Sequence, residues 1–250
     1  MAKITKVSPL APAAFPDLPV IDGVTFSTIA AGVKYQGRTD VMLASLAPGT
    51  TLAGTFTKSA TRSAPVLDCQ EKIDINSDAG AAIIVNSGNS NAFPGKNGVI
   101  STRAMTSAVA AALDLPETRV FSSSTGVIGE PLPHDRIIAK IDELAKTQRA
   151  DGIADAARAI MTTDTFPKGA MTGMIAPDMA TMLVYIFTDA QIKRDALQST
   201  LSRLTDVTFN AITVDSDTST SDTLLLAATG ASGIAVGADN TDFADALHGV

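Results

Sequence analysis

Residues 81–122, AAIIVNSGNSNAFPGKNGVISTRAMTSAVAAALDLPETRVFS, predict a strand, a helix and a second strand in succession. The run at 81–85 is short and entirely apolar, which is typical of a buried strand, and a long polar loop follows it. Residues 101–113 carry apolar side chains at helical spacing, and residues 119–122 form a short second strand. Strands that alternate with helices in this way indicate an α/β fold.

The same kinds of pattern continue on both sides of this stretch. β-branched or apolar runs between turn residues predict further strands at 24–31, 39–46, 51–57 and 182–187. Apolar residues at helical spacing predict further helices at 135–146, 154–161 and 196–204. The apolar run at 224–229 is too short to assign to either class.

The charge balance excludes several classes of partner. The 250 residues include 19 Lys and Arg against 26 Asp and Glu, which gives a formal net charge of −7. Binding to nucleic acid or to an anionic membrane depends on basic side chains, so we expect neither partner. With 45% hydrophobic and 18% charged residues, the chain is too apolar to be disordered.

Cysteine usage and the apolar runs predict the compartment. Cys69 is the single cysteine, which excludes an internal disulfide framework and a cysteine-based zinc site. The first fifteen residues lack the apolar stretch of a secretory signal, and no run reaches the 18 or so apolar residues that span a bilayer. We therefore expect a cytoplasmic protein.

Two segments have features that suit catalysis. At 121–129, FSSSTGVIG, a strand breaks into a turn of small residues, which either serves the backbone alone or aims N–H groups at an oxyanion. At 174–190, Thr181 begins an apolar strand, where threonine is ordinarily a good β-former. If the chain were cut before Thr181, its own α-amine would supply the base that a threonine nucleophile needs.

Other motifs fail on spacing. Residues 88–96 resemble a phosphate-binding loop but have the wrong number of residues between the glycines. Residues 215–226 begin like a calcium loop but lack its glycine and its glutamate. A Cys69–His134 nucleophile pair is the weaker alternative to a buried structural cysteine.

Seven segments taken together resemble one known family. They are AGVKYQGRTDVMLA (31–44), SATRSAPVLDCQ (59–70), IIVNSGNSNAFPG (83–95), STGVIG (124–129), IMTTDTFPK (160–168), GMIAPDMATML (173–183) and DTSTSDTLLL (217–226). In this order they resemble the ornithine acetyltransferase family, the ArgJ-type bifunctional glutamate N-acetyltransferases of arginine biosynthesis. The resemblance implies an α/β layered sandwich, with sheets flanked by helices, of the N-terminal-nucleophile type shared by ArgJ and DmpA.

The resemblance also implies a mechanism. The precursor cuts itself between Ala180 and Thr181, which divides it into an α-chain region, 1–180, and a β-chain region that starts at 181 and here runs to 250. Thr181 then takes the acetyl group of N2-acetyl-L-ornithine and passes it to L-glutamate. Thr125 and Gly126 match the oxyanion-stabilising pair, and Thr162 matches a substrate-binding position.

The implied partners are small molecules and the two chains of the same precursor. We expect a dimer of αβ units, a heterotetramer, with no metal and no organic cofactor, and acetyl-CoA as the one further co-substrate that the resemblance allows. The family's substrate-binding lysine lies eleven positions before the nucleophile, where this chain has Ala170. Lys168 is the nearby candidate for that role, and it also matches the lysine of the Pro-Lys motif.

The chain departs from the family pattern in length. The segment between residues 168 and 173 is shorter than in the family, and the pattern's C-terminal part has no counterpart here, so we expect a shortened chain. Two alternative functions follow: a non-catalytic remnant of the fold, or an N-terminal-nucleophile amidohydrolase or aminopeptidase in which water accepts the acyl group.

Overall fold

The computed structural model describes residues 11–164, 166–170, 181–212 and 218–249. The strands in these ranges are β1 Val24–Ile29, β2 Val41–Leu46, β3 Thr51–Phe56, β4 Ala81–Asn89, β5 Val120–Val127, β6 Leu183–Thr188, β7 Gln191–Ile192, β8 Thr223–Ala228 and β9 Ala235–Val236. The helices are α1 Ala64–Lys72, α2 Lys96–Leu113, α3 His134–Ile138, α4 Ile141–Lys146, α5 Ile153–Ala159, α6 Arg194–Val207 and α7 Thr241–His248.

The strands form two larger sheets and one small one. The first sheet has the order β1-β2-β4-β5, in which the last pair is parallel and the others are antiparallel. The second has the order β3-β8-β6, with β3 antiparallel and β6 parallel to the central β8. The parallel pair β7 and β9 forms the small sheet. The carboxyl end of β5 therefore lies in the first sheet, and the start of β6 lies in the second.

The two larger sheets pack face to face. Their shared core contains Phe26, Met42, Ile83 and Phe121 from the first sheet and Leu52, Leu183, Tyr185 and Leu225 from the second. Burying each large apolar side chain contributes about 1.5–3 kcal/mol, so this interface is a main source of stability. Phe26 also packs edge-to-face on Phe187, with ring centroids 5.2 Å apart.

Helices cover the outer face of each sheet. α2, α3 and α4 pack on the first sheet through Met105, Val109, Ile137, Ile141 and Leu144. α6 packs on the second sheet through Leu197 and Leu201, and α7 adds partly buried apolar side chains. The result is a four-layer α/β/β/α sandwich.

The helix predicted at 135–146 is wrong as a single element. The structure has two short helices, α3 and α4, separated by Ala139 and Lys140, and Lys140 has φ −112° and ψ −3°. The apolar spacing still identified the buried face, since Ile137, Ile141 and Leu144 all lie in one core. The unassigned run at 224–229 is β8, the centre of the second sheet, and α1 has no counterpart among the predicted elements.

The predicted regions 1–180 and 181–250 share a sheet. β3 belongs to the first region and pairs along its full length with β8 of the second. A cut after residue 180 would therefore leave two chains joined by strand hydrogen bonds and by the core between the sheets. None of the helices in the described ranges is both long and apolar enough to cross a membrane.

Candidate functional site

One cleft brings together four of the residues that the sequence predicts for the site. Its volume is about 370 Å³, counted with its opening to solvent. The described residues that line it are Thr125, Ala157, Ile160, Met161, Thr162, Asp164, Phe166, Pro167, Lys168, Thr181 and Leu183. Ala180, the other side of the predicted cleavage bond, lies outside the described residues, as do positions 171–179.

The alternation of strand side chains explains why Thr125 and Thr181 meet. Phe121 and Leu183 both lie in the core between the two sheets. Side chains four residues apart along a strand share a face, so Thr125 continues the inward-facing row of Phe121 in β5. Thr181 lies two residues before Leu183, just ahead of β6. The cleft therefore forms at one end of the sandwich, where the apolar core gives way to hydroxyl groups.

Position 126 requires glycine because of its backbone conformation and because the backbone of Gly88 lies close to it. It has φ +130°, a region that only glycine adopts without strain, and it pairs with Gly88 in the parallel strand β4. A Cβ on Gly126 would lie 2.4 Å from the carbonyl carbon of Gly88. The two backbones therefore approach closely beside Thr125.

Buried amides and hydroxyls hold this part of β5. The Ser124 hydroxyl donates to Oδ1 of Asn86 at 2.7 Å, and Nδ2 of Asn86 donates to the Asn89 carbonyl at 2.8 Å. Beyond the strand pairs, the Ser90 N–H donates to the Val127 carbonyl at 2.9 Å. Buried polar groups that are satisfied in this way restrict the backbone to one arrangement. The segment that contains Thr125 is thus rigidly supported from the side of β4.

A carboxylate fixes the residue that follows Thr181. The Met182 N–H donates to Oδ1 of Asp222 at 2.7 Å, and the Met182 carbonyl accepts from the Thr223 N–H at 2.9 Å. Asp222 directly precedes β8, the parallel neighbour of β6. Sequence reasoning missed Asp222; the signal was its place near the end of the polar segment 217–223, two residues before the apolar run that starts at Leu224.

Asp164 organises the wall of the cleft to which Thr162, Phe166 and Lys168 also belong. Its Oδ1 accepts from the Lys168 ammonium at 2.6 Å, and its Oδ2 accepts from the Thr162 N–H at 3.2 Å. The Lys168 ammonium also lies 4.9 Å from the centre of the Phe166 ring. Just before this segment, the Arg38 guanidinium donates to the Met161 carbonyl. Sequence reasoning missed Asp164, although it is the fourth residue of the Met-Thr-Thr-Asp motif.

The structure gives Cys69 and His134, the weaker nucleophile pair, different hydrogen-bond partners. Cys69 is fully buried, its thiol donates to the Ser122 carbonyl at 3.2 Å, and burial raises its pKa to about 12. A thiol in that state is not a nucleophile near neutral pH. The Nδ1 atom of His134 is instead hydrogen-bonded to the Ser101 hydroxyl at 3.0 Å. In the described part of the chain, no group of three or more His, Cys, Asp or Glu is placed to hold a metal ion.

Comparison with known proteins decides the family. Residues 25–250 match the model of the ArgJ family. The chain belongs to the ArgJ family. It is 64% identical over all of its length to the arginine biosynthesis bifunctional protein ArgJ of Ruegeria pomeroyi and 51% identical over 92% of its length to that of Nitrobacter winogradskyi. It spans 65% and 60% of those two proteins.

Solved structures of ArgJ relatives confirm the expected α/β layered fold. The ArgJ crystal structure from Bacillus halodurans is 33% identical with a TM-score of 0.52, over 60% of this chain and 76% of that one. Ornithine acetyltransferase of Mycobacterium tuberculosis in complex with ornithine is 32% identical with a TM-score of 0.53, over 63% of this chain and 83% of that one.

The expected internal shortening agrees with the comparison. The alignment with the Ruegeria pomeroyi protein covers 268 positions against 250 residues here, so that protein has at least 18 residues within the aligned region that this chain lacks.

Proposed function

We propose that this ArgJ-family chain is a self-processing acyltransferase that moves acetyl from N2-acetyl-L-ornithine to L-glutamate through acetyl-Thr181. The proposal is supported by the cleft, because Thr125, Thr162 and Thr181 come from separate segments and all line it. The relatives named for arginine biosynthesis, and the M. tuberculosis enzyme whose structure holds ornithine, support this choice of substrates.

The first step makes the nucleophile. Hydrolysis of the bond between Ala180 and Thr181 consumes one water and gives a carboxylate on Ala180 and an α-amine on Thr181. An α-amine titrates near pH 8, so it accepts the proton of the Thr181 hydroxyl at cellular pH. The hydrogen bond from the Met182 N–H to Asp222 holds the chain directly behind that amine. The shared sheet of β3 and β8 keeps the two products together.

Acetyl transfer then follows a ping-pong course. The Thr181 oxygen attacks the acetyl carbonyl, and the oxyanion that forms is stabilised by Thr125 and Gly126. The C–N bond breaks and ornithine leaves with the proton that the α-amine took up. The α-amine of glutamate attacks the acetyl ester, which gives N-acetylglutamate and restores Thr181.

The remaining features of the proposal concern supply and assembly. Acetyl-CoA is a second acetyl donor to the same threonine, and the reaction needs no metal and no organic cofactor. The functional assembly is a dimer of αβ units in the cytoplasm. Analytical ultracentrifugation of the processed protein tests the assembly, and ornithine-independent acetylation of glutamate from acetyl-CoA tests the second donor.

A direct assay separates this function from the alternatives. Ornithine release from N2-acetyl-L-ornithine should require glutamate for continued turnover and should be lost in Thr181→Ala. Thr181→Ser keeps a hydroxyl nucleophile and should retain measurable transfer. Thr125→Ala should lower kcat by about 100-fold or more, the usual cost of losing one oxyanion donor.

Two results would change the assignment. Continued acetate release without glutamate would make the protein an amidohydrolase. The at least 18 internal residues that the Ruegeria pomeroyi protein has and this chain lacks favour the remnant as the second candidate. A folded protein with no ornithine release under any condition would establish that remnant.

A further inference from the structure

The cleft contains an ion pair for which the transfer steps above have no use. The Lys168 ammonium lies 2.6 Å from Oδ1 of Asp164, and the two side chains are 17% and 10% exposed. Among the described residues that line the cleft, these two are the charged ones. The pair therefore sets the electrostatic character of this wall of the cleft.

Toward the residues that the structure describes, neither partner uses its full hydrogen-bonding capacity. An ammonium has three N–H donors, and Lys168 gives one of them to Asp164. A carboxylate offers about four acceptor positions, and Asp164 receives the Lys168 ammonium and the Thr162 N–H. Each side chain therefore has capacity for one more group of opposite charge without breaking the existing bond.

The proposed reaction, on which this inference rests, places a special demand on the cleft. The side chain of the donor, N2-acetyl-L-ornithine, ends in an ammonium, whereas the side chain of the acceptor, L-glutamate, ends in a carboxylate. In a ping-pong reaction both must occupy the same space in turn. A wall with a single charge would attract one substrate and repel the other.

We propose that the Asp164–Lys168 pair determines specificity for both substrates. The terminal ammonium of the ornithine side chain binds Asp164 beside Lys168, and the terminal carboxylate of glutamate binds Lys168 beside Asp164. Charged hydrogen bonds of this kind are strong enough to change kcat/KM by about 10- to 100-fold. Thr162 and Phe166 hold the pair in place through the Thr162 N–H and the Phe166 ring.

The donor side is tested with an analogue that lacks only the ammonium. The wild-type protein should prefer N2-acetyl-L-ornithine to N-acetyl-L-norvaline by about 10- to 100-fold in kcat/KM. Asp164→Asn keeps the shape of the side chain and removes its charge, so the preference should fall to within about threefold. Its preference between acceptors should stay close to that of the wild type.

The acceptor side is tested in the same way. L-2-aminobutyrate is L-glutamate without the terminal carboxylate, and the wild-type protein should prefer glutamate by a similar factor. Lys168→Gln should remove that preference and leave the donor preference largely intact. We therefore expect a crossed pattern: Asp164→Asn changes only the donor preference, and Lys168→Gln changes only the acceptor preference.

A purely structural ion pair predicts a different pattern. Both variants would then lower kcat/KM by the same factor for the charged substrates and for their analogues, which would overturn the proposal. Asp164→Asn leaves an ammonium without its partner, so we include the neutral pair Asp164→Asn/Lys168→Gln. This double variant should lose both preferences while it keeps a hydrogen bond between the two positions, and retained preferences would again overturn the proposal.

Calorimetric titration of the full chain with ornithine and with glutamate separates this proposal from the transfer reaction, because binding needs no turnover. If the protein binds both amino acids with the crossed dependence on Asp164 and Lys168 but releases no ornithine, the pair is supported and the transfer function fails. If it turns over but both variants lose both amino acids equally, the function stands and the pair fails. If it binds neither amino acid, both fail.

Discussion

Replacing Gly126 with alanine tests the close contact that supports the proposed oxyanion site. The added Cβ would lie 2.4 Å from the Gly88 carbonyl carbon and 2.6 Å from the Asn89 nitrogen, and both are backbone atoms that no side-chain rotation relieves. The variant also places an L-residue at φ +130°. We expect β4 and β5 to separate locally, since neither strand has another way to remove the overlap.

The expected loss of unfolding free energy in Gly126→Ala is the sum of three contributions. The unfavourable φ costs about 1–2 kcal/mol, and crowding in a packed region adds about 1–3 kcal/mol. One weakened strand hydrogen bond adds about 1 kcal/mol. The free energy of unfolding should therefore fall by about 4 kcal/mol.

Gly129→Ala is the matched control. Gly129 lies in the same segment with φ +85°, and a Cβ there has no heavy atom within 4 Å. Only the cost of the backbone conformation applies, so we expect a loss of about 1–2 kcal/mol. Urea unfolding of the full chain, followed by far-ultraviolet circular dichroism, measures both variants. Equal stability of Gly126→Ala and Gly129→Ala would show that the close approach to Gly88 and Asn89 does not limit the residue at position 126.

Three further predictions test other parts of the structure. Leu226→Ala removes a fully buried side chain between β8 and α6, and the free energy of unfolding should fall by about 2–5 kcal/mol in urea titrations. Asp222→Ala leaves the Met182 N–H without its carboxylate, so unfolding should become easier by about 1–3 kcal/mol and cleavage before Thr181, followed on gels, should slow. Burial raises the pKa of Asp68 above its ordinary 3.8, so the folded state binds this proton more tightly than the unfolded chain. The stability that Asp68 contributes is present below pH 3.8 and is lost as pH rises through the folded-state pKa. In Asp68→Asn, the free energy of unfolding, measured by urea titration at a series of pH values, should depend less on pH over that range.

The order of strands and helices was largely predictable, because it depends on local periodicity. The ends of β4 and β5 were not. Both strands extend through polar residues that the sequence pattern assigns to a loop or a turn, such as Asn86 and Ser124. These side chains bond to one another, so they are buried without an energetic penalty. That partnership depends on the parallel pairing of two distant segments, which no local pattern contains.

The candidate site divides in the same way. Thr125, Thr162 and Thr181 were identified through the family motifs, and the structure places them in one cleft. Asp164 and Asp222 were missed because their roles depend on what they touch, namely the Lys168 ammonium and the Met182 N–H. Aspartates in polar loops usually bond to their own backbone, and the type of residue does not distinguish the two cases.

Mass spectrometry of the denatured protein, before and after addition of N2-acetyl-L-ornithine, tests cleavage before Thr181 and acetyl transfer to Thr181 in one experiment. We expect two fragments, one that ends at Ala180 and one that begins at Thr181. The fragment that begins with Thr181 should gain one acetyl group with N2-acetyl-L-ornithine and lose it when L-glutamate is added. A single intact chain of 250 residues, or a Thr181 fragment that never carries an acetyl group, would contradict the proposed function.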